Sequence, residues 1–166
     1  TPELTRDNGQ WYYEMSNLGY NYRITDFQCA LGSSQLKKLN KFVERRKEVA
    51  ALYDNYFSGN KLFIAPRVLN HVDHAYHLYP LQIDFKNAVI SKKSFFKEMY
   101  SRGVSLQVHY IPVNTQPYYK KNFGYDKKEF INSSNFYNNE VSLPIYPDLK
   151  DSDVKFIAES ILSIIK

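Results

Sequence analysis

The chain has 166 residues, 43% of them hydrophobic and 23% charged, with a formal net charge of +5. Those proportions are globular, excluding a disordered, collagen-like or coiled-coil protein, and the length suits one domain with a real core. No run approaches the ~18 apolar residues of a membrane span and no signal-peptide core stands near the N-terminus, so no membrane partner is expected.

Residues 1–24 show no hydrophobic period and contain Pro2, Gly9 and Gly19, as a connecting segment would. The opening TPELTRDNGQWYYEMSN has no initiator Met and reads like the middle of something larger. Thr25 then has the position of a helix N-cap, with Gln28 three residues on to complete a capping box. One long helix is predicted from there to Gly59 and Asn60. Leu36, Leu39, Val43, Ala50, Tyr53 and Phe57 recur at three, four or seven residues and form its apolar stripe. Lys37, Lys38, Lys41, Glu44, Arg45 and Glu48 fall largely elsewhere, predicting a solvated face with i,i+4 pairs. At ~1.5 Å per residue such a helix would span about 45 Å, more than a small domain needs, so it is expected to bridge to another body. Cys29, the single cysteine, excludes an internal disulfide framework and points to a reducing, cytoplasmic setting; it reads as a small buried hydrophobe.

Downstream, HAYHLYPLQIDF alternates as a strand does, with Pro80 implying an edge or a bulge. SKKSFFKEMYSRG predicts a helix capped by Ser91, burying Phe95, Phe96, Met99 and Tyr100 and ending at Gly103. VSLQVHYI predicts a second strand, a further helix is expected near residues 128–138, and EVSLPIYP predicts a short third strand. A final helix capped near Asp151 or Ser152 would turn Val154, Ile157, Ala158, Ile161, Leu162 and Ile165 inward. The fold class is α/β: a long N-terminal helix followed by a small sheet covered by helices.

Chemistry is sparse. His71, His74 and His77 lie where loop turns into strand and share no helical face, so no metal site is predicted. The six glycines form no phosphate loop, and no nucleophile elbow or carboxylate pair appears, so no catalytic residue is assigned. His109 differs, lying at a strand end where ligand contacts concentrate, although a histidine satisfied by a neighbouring carbonyl fits as well. Asn21 and Arg23 precede a helix N-terminus, whose free N–H groups favour an anion that both side chains could reach. For Arg23 the alternatives are an ion pair with Asp26 or a stack on Tyr20 or Tyr22. Fifteen tyrosines and eleven phenylalanines suit a polar ligand pocket or a subunit interface, and equally a compositional bias. A basic, aromatic nucleic-acid-binding module is the alternative function, on a charge footprint alone.

LGYNYRITDFQCALGSSQLKKL resembles the DegT/DnrJ/EryC1/StrS sugar aminotransferases, fold type I enzymes that use pyridoxal 5'-phosphate. The likeness continues in order through FVERRKEVAALYDNYF, HLYPLQIDF, RGVSLQVHYIPV and SLPIYPDL, covering nearly all of residues 11–166. It implies that residues 1–24 are a connecting segment and active-site arm from an upstream large domain, and residues 25–166 the C-terminal small domain. The family's Schiff-base lysine and its lysine, acidic, Gly-Gly context match nothing here, which implies a fragment inactive alone. By the resemblance, Asn21 and Arg23 bind the cofactor, with Asn21 reaching the phosphate or bound adduct of the other subunit in a homodimer. Gln107, Val108, His109 and Tyr110 would line the nucleotide-sugar site. The implied reaction moves an amino group from glutamate to C4 of a UDP-4-keto-6-deoxy-N-acetylhexosamine, for pseudaminic acid or a related surface glycan, with no nucleic acid involved. Asn114 stands where many relatives have a histidine, so no role is carried over to it.

Overall fold

A computed structural model of the chain describes residues 9–15, 17–125 and 127–166. The connecting segment expected over 1–24 therefore lies partly outside the described residues. The chain divides into two compact units, Thr1–Lys37 and Lys38–Lys166.

The first unit contains helix α1 (Asp26–Leu36), and its start is as the sequence predicts. Thr25 caps it, accepting from the Gln28 backbone N–H at 3.3 Å, while the Gln28 side chain accepts from the Thr25 N–H at 2.9 Å. No residue of α1 is buried. Cys29 is consequently exposed, correcting its assignment to the core.

The long helix is also corrected: α1 stops at Leu36, and a second helix, α2, runs Leu39–Phe57 after a turn at Lys37–Lys38. Gly32, Ser33 and Ser34 lie just upstream, and such Gly/Ser clusters weaken a helix. In α2 the buried residues are Val49, Ala50, Tyr53 and Phe57, whereas Leu36 and Leu39 are exposed.

In the second unit, strands β1 (Phe63–Ile64), β2 (Tyr79–Ile83) and β3 (Glu140–Leu143) form an antiparallel sheet in the order β1-β2-β3. Helices α3 (Lys92–Ser101), α4 (Pro117–Phe123), α5 (Ile131–Asn139) and α6 (Asp151–Ile164) complete it, with 3-10 turns at Val113–Thr115 and Lys127–Phe130. Alternation along β2 puts Tyr79, Leu81 and Ile83 into the core, opposite Leu143 and Val141 of β3. Phe95 and Met99 of α3, with Val154, Ile157, Ala158, Ile161 and Ile165 in and after α6, join the same cluster. Ser91 caps α3 and Gly103 follows it at φ +80°, the left-handed conformation that glycine tolerates. Tyr100, predicted buried, is 76% exposed, because the inward face of α3 is only wide enough for Phe95 and Met99, with Phe96 half-buried. Helix α6 starts from Lys150, without a side-chain cap.

Pro80 lies in the central strand, yet the edge it was expected to mark exists locally. It pairs with Ser142 of β3, whose own N–H and C=O exchange hydrogen bonds with Gln107 on the far side. Pro80 therefore occupies a non-hydrogen-bonded pair, and its missing donor faces the side where β1 pairs only Gln82 and Ile83.

The basic cluster of α2 is more than a solvated face. Its pairs are i,i+3, Arg45 with Glu48 and Lys47 with Glu44, and two arginines reach distant segments. Arg45 bonds the Leu149 carbonyl and Asp151, and Arg46 donates to the carbonyls of Tyr76, His77 and Ile145.

The Tyr79 hydroxyl is buried and donates to Asp54 Oδ1 at 2.5 Å; burial, then that bond, holds its pKa far above the ordinary phenol range. Tyr79→Phe removes a hydrogen bond to a charged acceptor and should lower stability by about 1.5–3 kcal/mol in urea unfolding. A loss under about 0.5 kcal/mol would mean that the bond adds nothing.

Candidate functional site

Two groups of residues were expected to meet ligands, one in each unit. In the first, Gly19, Tyr20, Asn21, Tyr22 and Arg23 line an open cup of about 380 Å³. All five are exposed, and the Tyr20 and Tyr22 rings lie 5.9 Å apart. Asn21 and Arg23 have no hydrogen bond or ion pair to any described residue, so the alternative of Arg23 held by Asp26 does not occur. Their polar tips end two to four residues before the Thr25 cap. There the N–H groups of Asp26 and Phe27 lack intrahelical partners, as at the start of any helix. The cup thus offers an amide and a guanidinium, donors suited to phosphate, and the α1 N-terminus, capped at Thr25, follows two residues after Arg23 in the chain.

In the second unit, Gln107, Val108, His109 and Tyr110 do not form the predicted strand. Only Gln107 pairs, bridging to Ser142 through N–H···O bonds of 3.3 and 2.9 Å. Two residues on, the His109 N–H goes to Glu140 Oε2 at 3.0 Å, so a side chain takes the donor that a ladder would need. Ring nitrogen Nδ1 of His109 lies 2.7 Å from Ser142 Oγ, and that hydroxyl donates to Glu140 Oε1. Tyr110 is 74% exposed, its ring edge-on to His109 at 4.6 Å. The structure therefore brings Gln107 and His109 together on Ser142 and leaves Tyr110 open to solvent.

Glu140 and Ser142 were missed by sequence reading, which saw only a short strand. Their signal was available in EVSL: alternation places them opposite Val141 and Leu143, on the face that carries Pro80 and Gln82. Glu140 is fully buried. Lys92 is near enough for charge interaction with it and donates to the Tyr137 carbonyl. Burial pulls the Lys92 ammonium below its ordinary range, opposed by the Glu140 carboxylate. Of the other histidines, His74 accepts the Tyr76 N–H at Nδ1. No helix among the described residues is long and apolar enough to cross a membrane.

The family model described as the DegT/DnrJ/EryC1/StrS aminotransferase family matches residues 3–162. The Bacillus subtilis spore coat polysaccharide biosynthesis protein SpsC is 41% identical over 96% of this chain and 41% of its own length. The Campylobacter jejuni UDP-4-amino-4,6-dideoxy-N-acetyl-β-L-altrosamine transaminase is 36% identical over 94% of the chain and 41% of its own. Among solved structures, Helicobacter pylori PseC, an aminotransferase of pseudaminic acid biosynthesis, superposes with a TM-score of 0.81 at 32% identity, over 98% of this chain and 42% of that one. Another solved neighbour is the Streptococcus pneumoniae protein titled "putative sugar aminotransferase Spr1654", in PLP and PMP forms, with a TM-score of 0.80 at 26% identity. The chain spans about two fifths of the length of these relatives. With the family model matched across almost all of its residues, the chain belongs to the DegT/DnrJ/EryC1/StrS aminotransferase family.

Proposed function

We propose that this chain is the small domain and active-site arm of a pyridoxal-phosphate-dependent nucleotide-sugar aminotransferase, working with a large domain that carries the Schiff-base lysine. The observation that carries this reading is the donor-rich cup at Gly19–Arg23, whose Asn21 and Arg23 have no hydrogen bond or ion pair among the described residues. Pyridoxal phosphate supplies, when bound, the electron sink that amino transfer needs. The guanidinium of Arg23 and the amide of Asn21 would hold its phosphate, each chain serving the other subunit of a cytoplasmic homodimer. Gln107, Val108, His109 and Tyr110 would line the nucleotide-sugar site, where the exposed Tyr110 ring offers a face for the base and His109 a polar edge. Holding the acceptor carbon against the amino group is the contribution expected of such residues.

Glutamate would be the amino donor and C4 of a UDP-4-keto-6-deoxy-N-acetylhexosamine the acceptor. The C. jejuni and H. pylori relatives favour pseudaminic acid as the product class, and the higher identity to SpsC widens it to surface glycans generally. No lysine in these 166 residues stands in the family's motif, so they would be inactive alone.

The complete enzyme, given glutamate and the UDP-4-keto sugar, should form the C4-amino sugar and 2-oxoglutarate in equal amounts, read by mass spectrometry. Amino-sugar formation that ignores glutamate would replace the donor, and absence of any amino sugar would overturn the reading.

A further inference from the structure

The Glu140, Ser142 and His109 contacts leave little freedom for the protons they share. We infer that Glu140, acting through Ser142, is a positioning residue that fixes His109 as the Nδ1–H tautomer and presents Nε2 outward as a hydrogen-bond acceptor. The proposal rests on the reading of His109 as a substrate-site residue and says which part of a nucleotide sugar it would meet.

An ionised carboxylate only accepts, and Glu140 accepts twice, from the His109 backbone N–H and from the Ser142 hydroxyl. Glu140 is fully buried, with Lys92 near enough to interact with it. A serine hydroxyl has one proton, and here it points to Glu140. Ser142 Oγ can then meet His109 Nδ1, 2.7 Å away, only by accepting, so Nδ1 carries the hydrogen. Neutral imidazole has one N–H, which leaves Nε2 a lone pair. Among the described residues no group bonds Nε2, and the ring is only partly buried. The backbone bond from His109 N–H to the same carboxylate fixes the ring's base as well as its edge.

An acceptor at this position selects donors. It would take a sugar hydroxyl or the imide N–H of uracil, and would be poorly matched to the pyrophosphate, which offers only acceptors. Sequence reading could not distinguish these cases, because either tautomer fits the letters QVHY.

The tautomer is directly visible in a nitrogen-15 NMR spectrum of the chain taken at about pH 8.5, above the ordinary histidine range near 6.5, with His109 identified by its loss in His109→Gln. We expect a protonated Nδ1 and a bare Nε2. Ser142→Ala should lose this preference and populate the Nε2–H form, while Ser142→Thr, which restores a hydroxyl, should retain it. A protonated Nε2 in the unaltered chain, or no change in Ser142→Ala, overturns the inference. The unaltered spectrum decides by itself if Ser142→Ala does not fold. In the complete enzyme, UDP-N-acetylglucosamine serves as a probe of the underlying reading: binding should shift the His109 Nε2 signal. A retained tautomer with no shift would remove His109 from the substrate site while supporting its positioning by Glu140.

Discussion

Phe95→Ala should cost the Lys38–Lys166 unit about 3–5 kcal/mol, as expected when a large aromatic leaves a packed core. Phe95 is fully buried, with the Phe85 and Phe96 rings at 5.5 and 6.3 Å, so its removal strands contacts on several sides. It also lies on the α3 face that meets the sheet cluster, where the surrounding segments are too well fixed to collapse into the space. The informative control is five residues away. Tyr100→Ala, on the solvent side of the same helix, should change stability by no more than about 0.5 kcal/mol. Urea midpoints at constant slope measure both, and equal losses would mean that the inward face of α3 has been misassigned.

Arg23→Ala in the complete enzyme should weaken pyridoxal phosphate binding by about 1.5–3 kcal/mol, roughly tenfold to a hundredfold, because a charge-assisted bond to phosphate is lost. Asn21→Ala should weaken cofactor or substrate retention by about 1–3 kcal/mol. The loss should not extend to folding, since neither side chain has a hydrogen-bond or ion-pair partner among the described residues. Mixing subunits tests whether the arm serves its neighbour. A subunit with Arg23→Ala and an intact Schiff-base lysine, paired with one lacking that lysine but keeping Arg23, should regain one good site per dimer. An arm serving its own subunit would give no such recovery. Unchanged cofactor affinity in Arg23→Ala would leave the cup at Gly19–Arg23 without its assigned ligand.

These two tests draw on parts of the chain that were unequally legible. The capping box at Thr25, the ends of α3 and the inward face of α6 follow from short-range rules, in which the residues that decide are within a few positions of one another. The turn at Lys37–Lys38 escaped because the apolar spacing runs on through it, and spacing alone does not register the weakness of Gly32-Ser33-Ser34. Cys29 was placed inside on residue type, yet α1 buries nothing within this chain. The site was legible on one side only. QVHY could be singled out as a polar strand end, but its order depends on Glu140, thirty-one residues further on. Alternating apolar letters at 104–111 predict a ladder, and they cannot show that a carboxylate has claimed one of its donors. Arg45 was likewise assigned to solvent until its bonds to the Leu149 carbonyl and Asp151 were in view.

The placement of Pro80 bears on how this sheet behaves at high concentration. Among the described residues β1 pairs only with the Gln82–Ile83 end of β2; at the other end Tyr79 is fully buried and Pro80 half-buried, so only a short stretch around Pro80 is open to a foreign strand. At that end the pyrrolidine ring supplies no amide hydrogen, and an intruding chain would find its register broken at the first contact. A residue that costs the central strand little thereby acts as a guard against runaway self-association.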